Sequence, residues 1–438
     1  MWRARIAPYT VMSDYPDTYY RRTVFDAAAY PALTADSDVD VCVVGAGLAG
    51  LTAARELVTR GRSVAVLDAH RVGWGASGRN GGQVSSGFAA DDDAVLKQVG
   101  QAHFDALYRL SIEGMEMVRE TGVSLGAGAG GLSPGILKVL RYDDRAGLAA
   151  HRDRMAAYGR RFTLLDRDAV RARVNSPAYG PGLLDADAFH IHPLNYTRAL
   201  AADVAARGGA VHERSRVTQL NRSSDRHTVR ANGAAIRARH VVMATGGYTD
   251  ALVPALRRAM LSIATYMLAT GPLGPRIGDA IDTTAAIIDD RRAGNYYRVL
   301  DGDRILWGSG ISVRSSPPPQ LAARLKRELQ QVFPQLGDVP VEMAWSGLMS
   351  YARHRMPQVG QLSPGLWYCT AFGGQGLNTT AIAARLVAEA ITGETDRIAA
   401  FAPFGLTWAG GVVGRAMAQA TYWGYQAGDR WRERMRPV

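Results

Sequence analysis

The sequence predicts a two-domain α/β protein, and three observations predict it. A β-branched run from Val39 to Val44 passes directly into Gly45-Ala46-Gly47-Leu48-Ala49-Gly50, then into helical spacing, then into a second apolar run that ends at Asp68. Strand-like runs recur in the second half of the chain, at 263–269, 296–300 and 305–311. The length of 438 residues, 47% of them hydrophobic, suits two or three domains with a large core and excludes general disorder.

The elements follow in order. Residues 1–35 are polar and rich in Tyr and Pro, and read as an arm. Residues 39–44 suit a strand buried on both faces. Leu51, Ala54, Leu57 and Val58 repeat at helical spacing up to Gly61, a helix stop. Residues 63–67 form the next strand, completing a β-α-β unit of about thirty residues. Residues 94–120 predict an amphipathic helix with Ala106, Leu107, Leu110, Met115 and Val118 in the core, and the charged stretch 144–175 predicts further helix. Strand spacing returns at Val211, Val217, Leu220, Val229, Ile236 and Val241 to Ala244, with a hairpin turn at Asn232-Gly233. Further strands are expected at 263–269, 296–300 and 305–311. Pro317 to Pro319 break the chain before a helix at 321–332. A last strand, 366–370, leads into Phe372-Gly373-Gly374-Gln375-Gly376 and a helix over 379–391 with Ile382, Leu386, Val387 and Ala390 on one face.

Composition narrows the function. No window approaches the ~20 apolar residues of a membrane-spanning helix, and residues 1–22 lack the apolar core of a secretory signal. Two cysteines, Cys42 and Cys369, exclude a disulfide framework and a Cys-rich zinc site, and point to a reducing, cytoplasmic setting. Lysine occurs only at Lys97, Lys138 and Lys326, so the net charge of +11 comes from Arg residues spread along the chain. Nucleic acid is not an expected partner; an acidic substrate or a membrane surface stays open.

In G-x-G-x-x-G, Gly45 allows a tight turn, Gly47 lets a pyrophosphate approach the backbone, and Gly50 permits close helix–strand packing. The helix N-terminus offers N–H groups to the phosphates, and Asp68 is placed to accept from a ribose diol. Such glycines alone also suit a structural turn; the acid and the second strand in register favour a dinucleotide. Gly73 to Gln83 holds five glycines with Ser77, Arg79 and Asn80 between them, a composition for backbone wrapped against a large flat polar ligand.

This pattern, D-V-C-V-V-G-A-G-L-A-G-L, then V-L-D, then R-V-G-W-G-A-S-G-R-N-G-G-Q, resembles the D-amino-acid-oxidase-like superfamily of FAD enzymes. It is most similar to the γ-glutamylputrescine oxidoreductase branch, related to sarcosine and glycine oxidases. Ala188 to Tyr196, Val241 to Tyr248, Tyr297-Arg298, Trp345-Ser346-Gly347, Met356-Pro357, Phe372 to Gly376 and a closing Tyr/Trp-rich helix around 422–430 carry the same likeness. Asp68 stands where relatives have Glu, and Phe-Gly-Gly-Gln-Gly where they often have Gly-His-Gly.

The resemblance implies a Rossmann-like, discontinuous FAD-binding domain (36–100, 185–255 and 345–400). A second, substrate domain on a mixed antiparallel sheet (101–184 and 256–344) and a C-terminal helical segment (401–438) complete it. It implies non-covalent FAD contacted by Gly45, Gly47, Leu48, Ala49, Gly50, Asp68, Ala69, Trp74, Ser77, Arg79, Asn80, Gly81, Gly82, Gln83, Val217, Ala244, Thr245, Gly246, Gly373, Gly374, Gln375, Gly376 and Leu377. It implies oxidation of a C–N bond of a small amine or amino-acid-like substrate by hydride transfer, with oxygen, a quinone or a carrier protein as electron acceptor. An FAD enzyme acting on a C–OH or a natural product, and a flavin-bearing subunit without turnover, are the alternatives. His190, Tyr297 and Arg298 are the candidate catalytic residues, Arg298 for a substrate carboxylate; each also suits a structural role. His190 and His192 alternate and lack a third ligand, so no metal is expected. Sarcosine oxidase relatives attach flavin through a Cys falling near Gly347, and promote oxygen reduction with a Lys falling near Leu306. This chain has no Cys in 345–357 and no Lys between Lys138 and Lys326.

Overall fold

A computed structural model describes residues 15–435 except 224 and 293; the first fourteen residues of the expected arm and the last three of the C-terminal segment lie outside it. Its architecture is mixed α/β on two sheets.

The first sheet has eight strands. Its central path runs Gln358–Ser363, Leu366–Thr370, Ala234–Met243, Ser37–Val44, Val64–Leu67, Ala210–His212. Ser37–Val44 lies parallel to both Val64–Leu67 and Ala234–Met243, so the glycine turn after Val44 opens at the C-terminal edge of parallel strands. That edge is where open α/β sheets bind ligands. Helices Leu48–Thr59, Gln101–Leu125, Pro193–Ala206 and Gly376–Thr392 pack together against the sheet in one apolar cluster. The antiparallel pair Val217–Asn221 and His227–Ala231 belongs to the cluster that includes the opposite face.

The second sheet has nine strands, largely antiparallel, with Ala286–Asp289 running parallel to Ser133–Val139. Helix Leu321–Val332 buries Leu321, Leu325, Leu329 and Val332 on it. The two-residue strand Gln83–Val84 joins Gly182–His190, which ties the second glycine loop to this sheet.

Four local expectations change. Gly100, at φ +79°, divides the helix predicted over 94–120 into Asp92–Val99 and Gln101–Leu125. Ala106 is exposed there, while Leu107, Leu110, Met115 and Val118 are buried. The stretch 144–175 is not one helix: Phe162–Leu165 is a strand paired with Gly182–His190, because its β-branched and apolar residues have a sheet edge to join. The last helix of the first sheet begins at Gly376 rather than 379. Asn232 and Gly233 both take positive φ, 52° and 85°, the requirement of a type I′ hairpin turn.

The described part of the arm bridges the two sheets: Tyr15, Tyr19 and Tyr20 pack on Met267, Leu300 and Trp345 of the second sheet, and Tyr30 and Leu33 bond to Glu213 and Ser215 beyond the end of Ala210–His212 in the first. Fully buried Glu213 pairs with Arg71 at 2.7 Å and accepts from the Tyr30 and Val72 N–H groups.

Candidate active site

Two glycine stretches and the start of helix Gly376–Thr392 converge on one cleft between the sheets. The first stretch is packed so that only glycine fits. Gly45, at φ +114°, would place a Cβ 2.6 Å from the Ala244 carbonyl oxygen, and a Cβ on Gly50 would overlap the Gly45 carbonyl. Gly47 caps the helix, and its Cβ would lie 2.8 Å from Ser77 Oγ. The Ser77 hydroxyl accepts from the Leu48 N–H at 2.9 Å, leaving its own proton to donate into the cleft.

The second stretch is held by its own side chains. Asn80 donates from Nδ2 to the Ala76 and Ser77 carbonyls and accepts the Gly82 N–H on Oδ1. Gly82, at φ +76°, presses on the Ile191 carbonyl. Buried Arg79 donates to the Trp74, Gly75 and Ser346 carbonyls, and its guanidinium lies 4.7 Å over the Trp74 ring. Gln375 donates to Ser85 Oγ at 2.7 Å, tying the last glycine loop to the strand opposite.

Of the residues singled out in the sequence, the cleft walls carry Gly47, Leu48, Ala49, Ser77, Arg79, Asn80, Gly81, Gly82, Gln83, Ala244, Gly246, Gly373, Gly374, Gln375, Gly376 and Leu377. Gly45, Gly50, Asp68, Ala69, Trp74, Val217 and Thr245 stand outside this enclosed part. Asp68 accepts the Ala46 N–H on Oδ2 and the His70 N–H on Oδ1, each at 2.7 Å. Desolvation raises its pKa above the usual carboxylate value, against the pull of those two bonds.

The three candidate catalytic residues are not on the cleft walls. Tyr297 points the other way, into the core of the second sheet, stacked on Trp307 with centroids 4.7 Å apart and donating to Tyr179. Its neighbour Tyr296 faces the cleft instead, because successive strand residues alternate. Arg298 lies behind Gly82 and donates to His190 Nδ1 (2.8 Å), the Ile191 carbonyl (3.0 Å) and the Tyr20 hydroxyl. His190 Nε2 bonds the Thr284 carbonyl, so both ring nitrogens are engaged; burial and the Arg298 charge lower its pKa to about 4 and keep it neutral. His192 caps helix Pro193–Ala206 by accepting the Asn195 N–H.

The cleft also shows residues the sequence reading missed: Asp289, Arg291, Arg292, Tyr296, Met349 and Tyr351. The strand alternation at 296–298 was the available signal for Tyr296; the others follow from long-range packing. Asp289 is engaged by Arg141 Nε at 2.7 Å and by Asn295. Desolvation raises the Tyr296 pKa to about 12 and also raises that of Tyr351 above the usual tyrosine value. Among the described residues the cleft therefore presents no unengaged carboxylate, imidazole or phenolate as a proton acceptor. Cys42 and Cys369 are buried, their thiols pushed up to about 12. No group of His, Cys, Asp and Glu among the described residues is arranged for a metal.

The glycine cradle fits a dinucleotide: flat backbone walls, positions where a Cβ would collide, and a hydroxyl proton beside a helix N-terminus. Comparisons with known proteins agree. Residues 40–390 match the family model DAO, FAD dependent oxidoreductase. The chain is 31% identical to the γ-glutamylputrescine oxidoreductase of Escherichia coli over 394 residues, 89% of this chain and 92% of that protein. It is also 31% identical to the probable oxidoreductase OrdL of Haemophilus influenzae over 380 residues, 85% of this chain and 87% of that one. In fold it is similar to glycine oxidase from Geobacillus kaustophilus (TM-score 0.70, 19% identity, 84% of this chain and 98% of that one). An L-amino acid deaminase from Proteus myxofaciens also shares the fold (TM-score 0.70, 16% identity, 88% and 96%). With four-fifths of its length matched and its cleft built for the cofactor, the chain belongs to the DAO family of FAD-dependent oxidoreductases.

Proposed function

We propose that this enzyme oxidises a C–N bond of a small amine or amino-acid-like substrate, releasing an imine that hydrolyses in water. The first sheet carries the cofactor and the second sheet the substrate. The observation that carries the reading is the cleft itself: it runs from the glycine cradle to Tyr296, Tyr351 and Arg292 and offers no free base. The two 31% identical relatives are oxidoreductases, and one acts, by its name, on an amine.

Bound FAD supplies the hydride acceptor. The Leu48 N–H orients the Ser77 hydroxyl, which with the Ala49 N–H would hold the pyrophosphate, and Asp68 and Val217 would attend the adenosine end. The N-terminus of helix Gly376–Thr392, on the cleft wall, would bring partial positive charge to the flavin ring edge. Tyr296, Met349 and Tyr351 shield the substrate from water, and Arg292 attracts a substrate carboxylate at the mouth.

With no protein base, the substrate ammonium loses its proton to water before reacting, so the rate rises with pH. A rate independent of pH between about 6 and 9 refutes this mechanism. The wider test is an anaerobic panel of amines, amino acids and alcohols followed by flavin absorbance. Bleaching by an amine supports the reading; bleaching by alcohols alone overturns it.

A further inference from the structure

The C-terminal helix Gly411–Met435 lies beyond residue 390, where the family match ends. Its inner face is engaged with the molecule. Tyr422 and Asp429 are buried. Glu433 takes the Arg291 guanidinium at 2.6 and 2.8 Å, and Asp429 accepts the Arg292 N–H at 3.2 Å. Arg291 and Arg292 belong to the cleft wall, so this helix backs the mouth of the active site.

The outer face is unlike that of a solvated helix. Val412 (85% exposed), Val413, Met417, Trp423 (62%), Trp431 (64%) and Met435 project from it, and exposed Trp408 precedes it. At 100° per residue these side chains centre opposite Tyr422 and Asp429. Contiguous exposed apolar surface marks an interaction site. Of the exposed arginines of the helix, Arg415 lies on the Tyr422 side and donates to the Val313 carbonyl at 2.6 Å, which leaves Arg430 and Arg434 toward the outer side. Its two acids, Asp429 and Glu433, turn inward and are engaged by Arg432 and Arg291. The outer face is thus apolar, tryptophan-bearing and basic, with no acid on it.

We propose that this helix docks the enzyme on an anionic bilayer surface. It lies in the headgroup region with Trp423 and Trp431 inserted and Arg430 and Arg434 on lipid phosphates. No helix among the described residues is long and apolar enough to cross the bilayer, so the contact is peripheral. Charge decides the occupant. A second copy packed on the same face would bring arginines against arginines, whereas anionic lipid complements them. The net charge of +11 has the same sign.

The test is co-sedimentation of the holoenzyme with vesicles of phosphatidylcholine alone and of phosphatidylcholine mixed with phosphatidylglycerol. Binding is expected to the anionic vesicles, with a blue shift of tryptophan emission and weakening at high salt. Trp423→Ser with Trp431→Ser should abolish binding. Each of Arg430→Ser and Arg434→Ser should lower the partition coefficient about fivefold. Flavin absorbance and thermal melting of the variants confirm folding. A holoenzyme that stays in the supernatant with anionic vesicles overturns the proposal, as does a double tryptophan variant that binds like the parent. Self-association that the tryptophan changes abolish, without vesicle binding, overturns it and gives the face to a second copy.

Discussion

Asp68→Ala removes two acceptors from the turn that starts the glycine cradle. In the intact protein one carboxylate oxygen holds the Ala46 N–H and the other the His70 N–H, both at 2.7 Å. A hydrogen bond to a charged group contributes about 1.5–3 kcal/mol, so losing both costs about 3–6 kcal/mol before water and relaxation compensate. The loss divides between two states. In the apoprotein the turns at Ala46 and His70 loosen and thermal stability falls. In the holoprotein FAD must order those turns and also loses a ribose acceptor, so its Kd rises at least tenfold. Asp68→Asn separates these effects, because the amide keeps one acceptor without the charge and should retain about half of the affinity loss. The carboxyl pKa is raised on folding, so the folded state holds this proton more tightly than the unfolded one. Its contribution to stability is therefore greatest at low pH and declines as pH rises from about 4 through the raised value; that slope should vanish in Asp68→Asn. The assays are apoprotein melting against pH and FAD titration by flavin fluorescence. An FAD affinity for Asp68→Ala within twofold of the parent refutes the reasoning.

Three other perturbations follow from the same geometry. Tyr296→Phe should raise the substrate KM severalfold, whereas Tyr297→Phe should cost about 1 kcal/mol of stability through the lost bond to Tyr179 and leave turnover unchanged, checked by steady-state kinetics and melting. Acid precipitation should release all FAD to the supernatant, since residues 345–357 contain no Cys and both thiols of the chain are buried and protonated; colour retained in the pellet refutes this. Reoxidation of the amine-reduced enzyme by air should be slow and turnover on an artificial dye fast. Leu306, buried beside Trp345, falls near the position where the resemblance to sarcosine oxidases implies a lysine, and a positive charge there would stabilise superoxide; stopped-flow reoxidation much faster than that of free reduced flavin overturns this expectation.

The parts of the fold read correctly were those written locally. Residues 37–68 carry a buried run, glycines whose Cβ atoms would collide, a 3.6 period and a second run, all within one unit. The type I′ turn at Asn232-Gly233 is equally local. What was not legible depends on distant partners. Phe162–Leu165 becomes a strand because Gly182–His190 offers it an edge, while its flanks are helical. Tyr296, Tyr297 and Arg298 alternate in any strand, but nothing in the sequence says which side faces the cofactor. That is set by helix Leu321–Val332, whose cluster covers the Tyr297 side.

The pair His190 and Arg298 shows why residue type alone misleads about role. Both side chains have the chemistry of an active site, and Arg298 would suit a carboxylate. In the folded chain, however, Arg298 is surrounded by His190 Nδ1, the Ile191 carbonyl and the Tyr20 hydroxyl. A Cβ on Gly82 would lie 3.2 Å from its Nη2 while overlapping that same Ile191 carbonyl. Guanidinium, carbonyl and glycine therefore form one packed unit, with the glycine on the cleft side and the charge behind it. Arg298 acts on the cleft by fixing where its wall stands. Arg298→Ala should therefore shift Gly81 and Gly82 and weaken FAD and substrate binding together, read by flavin titration and steady-state kinetics; a raised KM with unchanged FAD affinity would return Arg298 to the role of a substrate ligand.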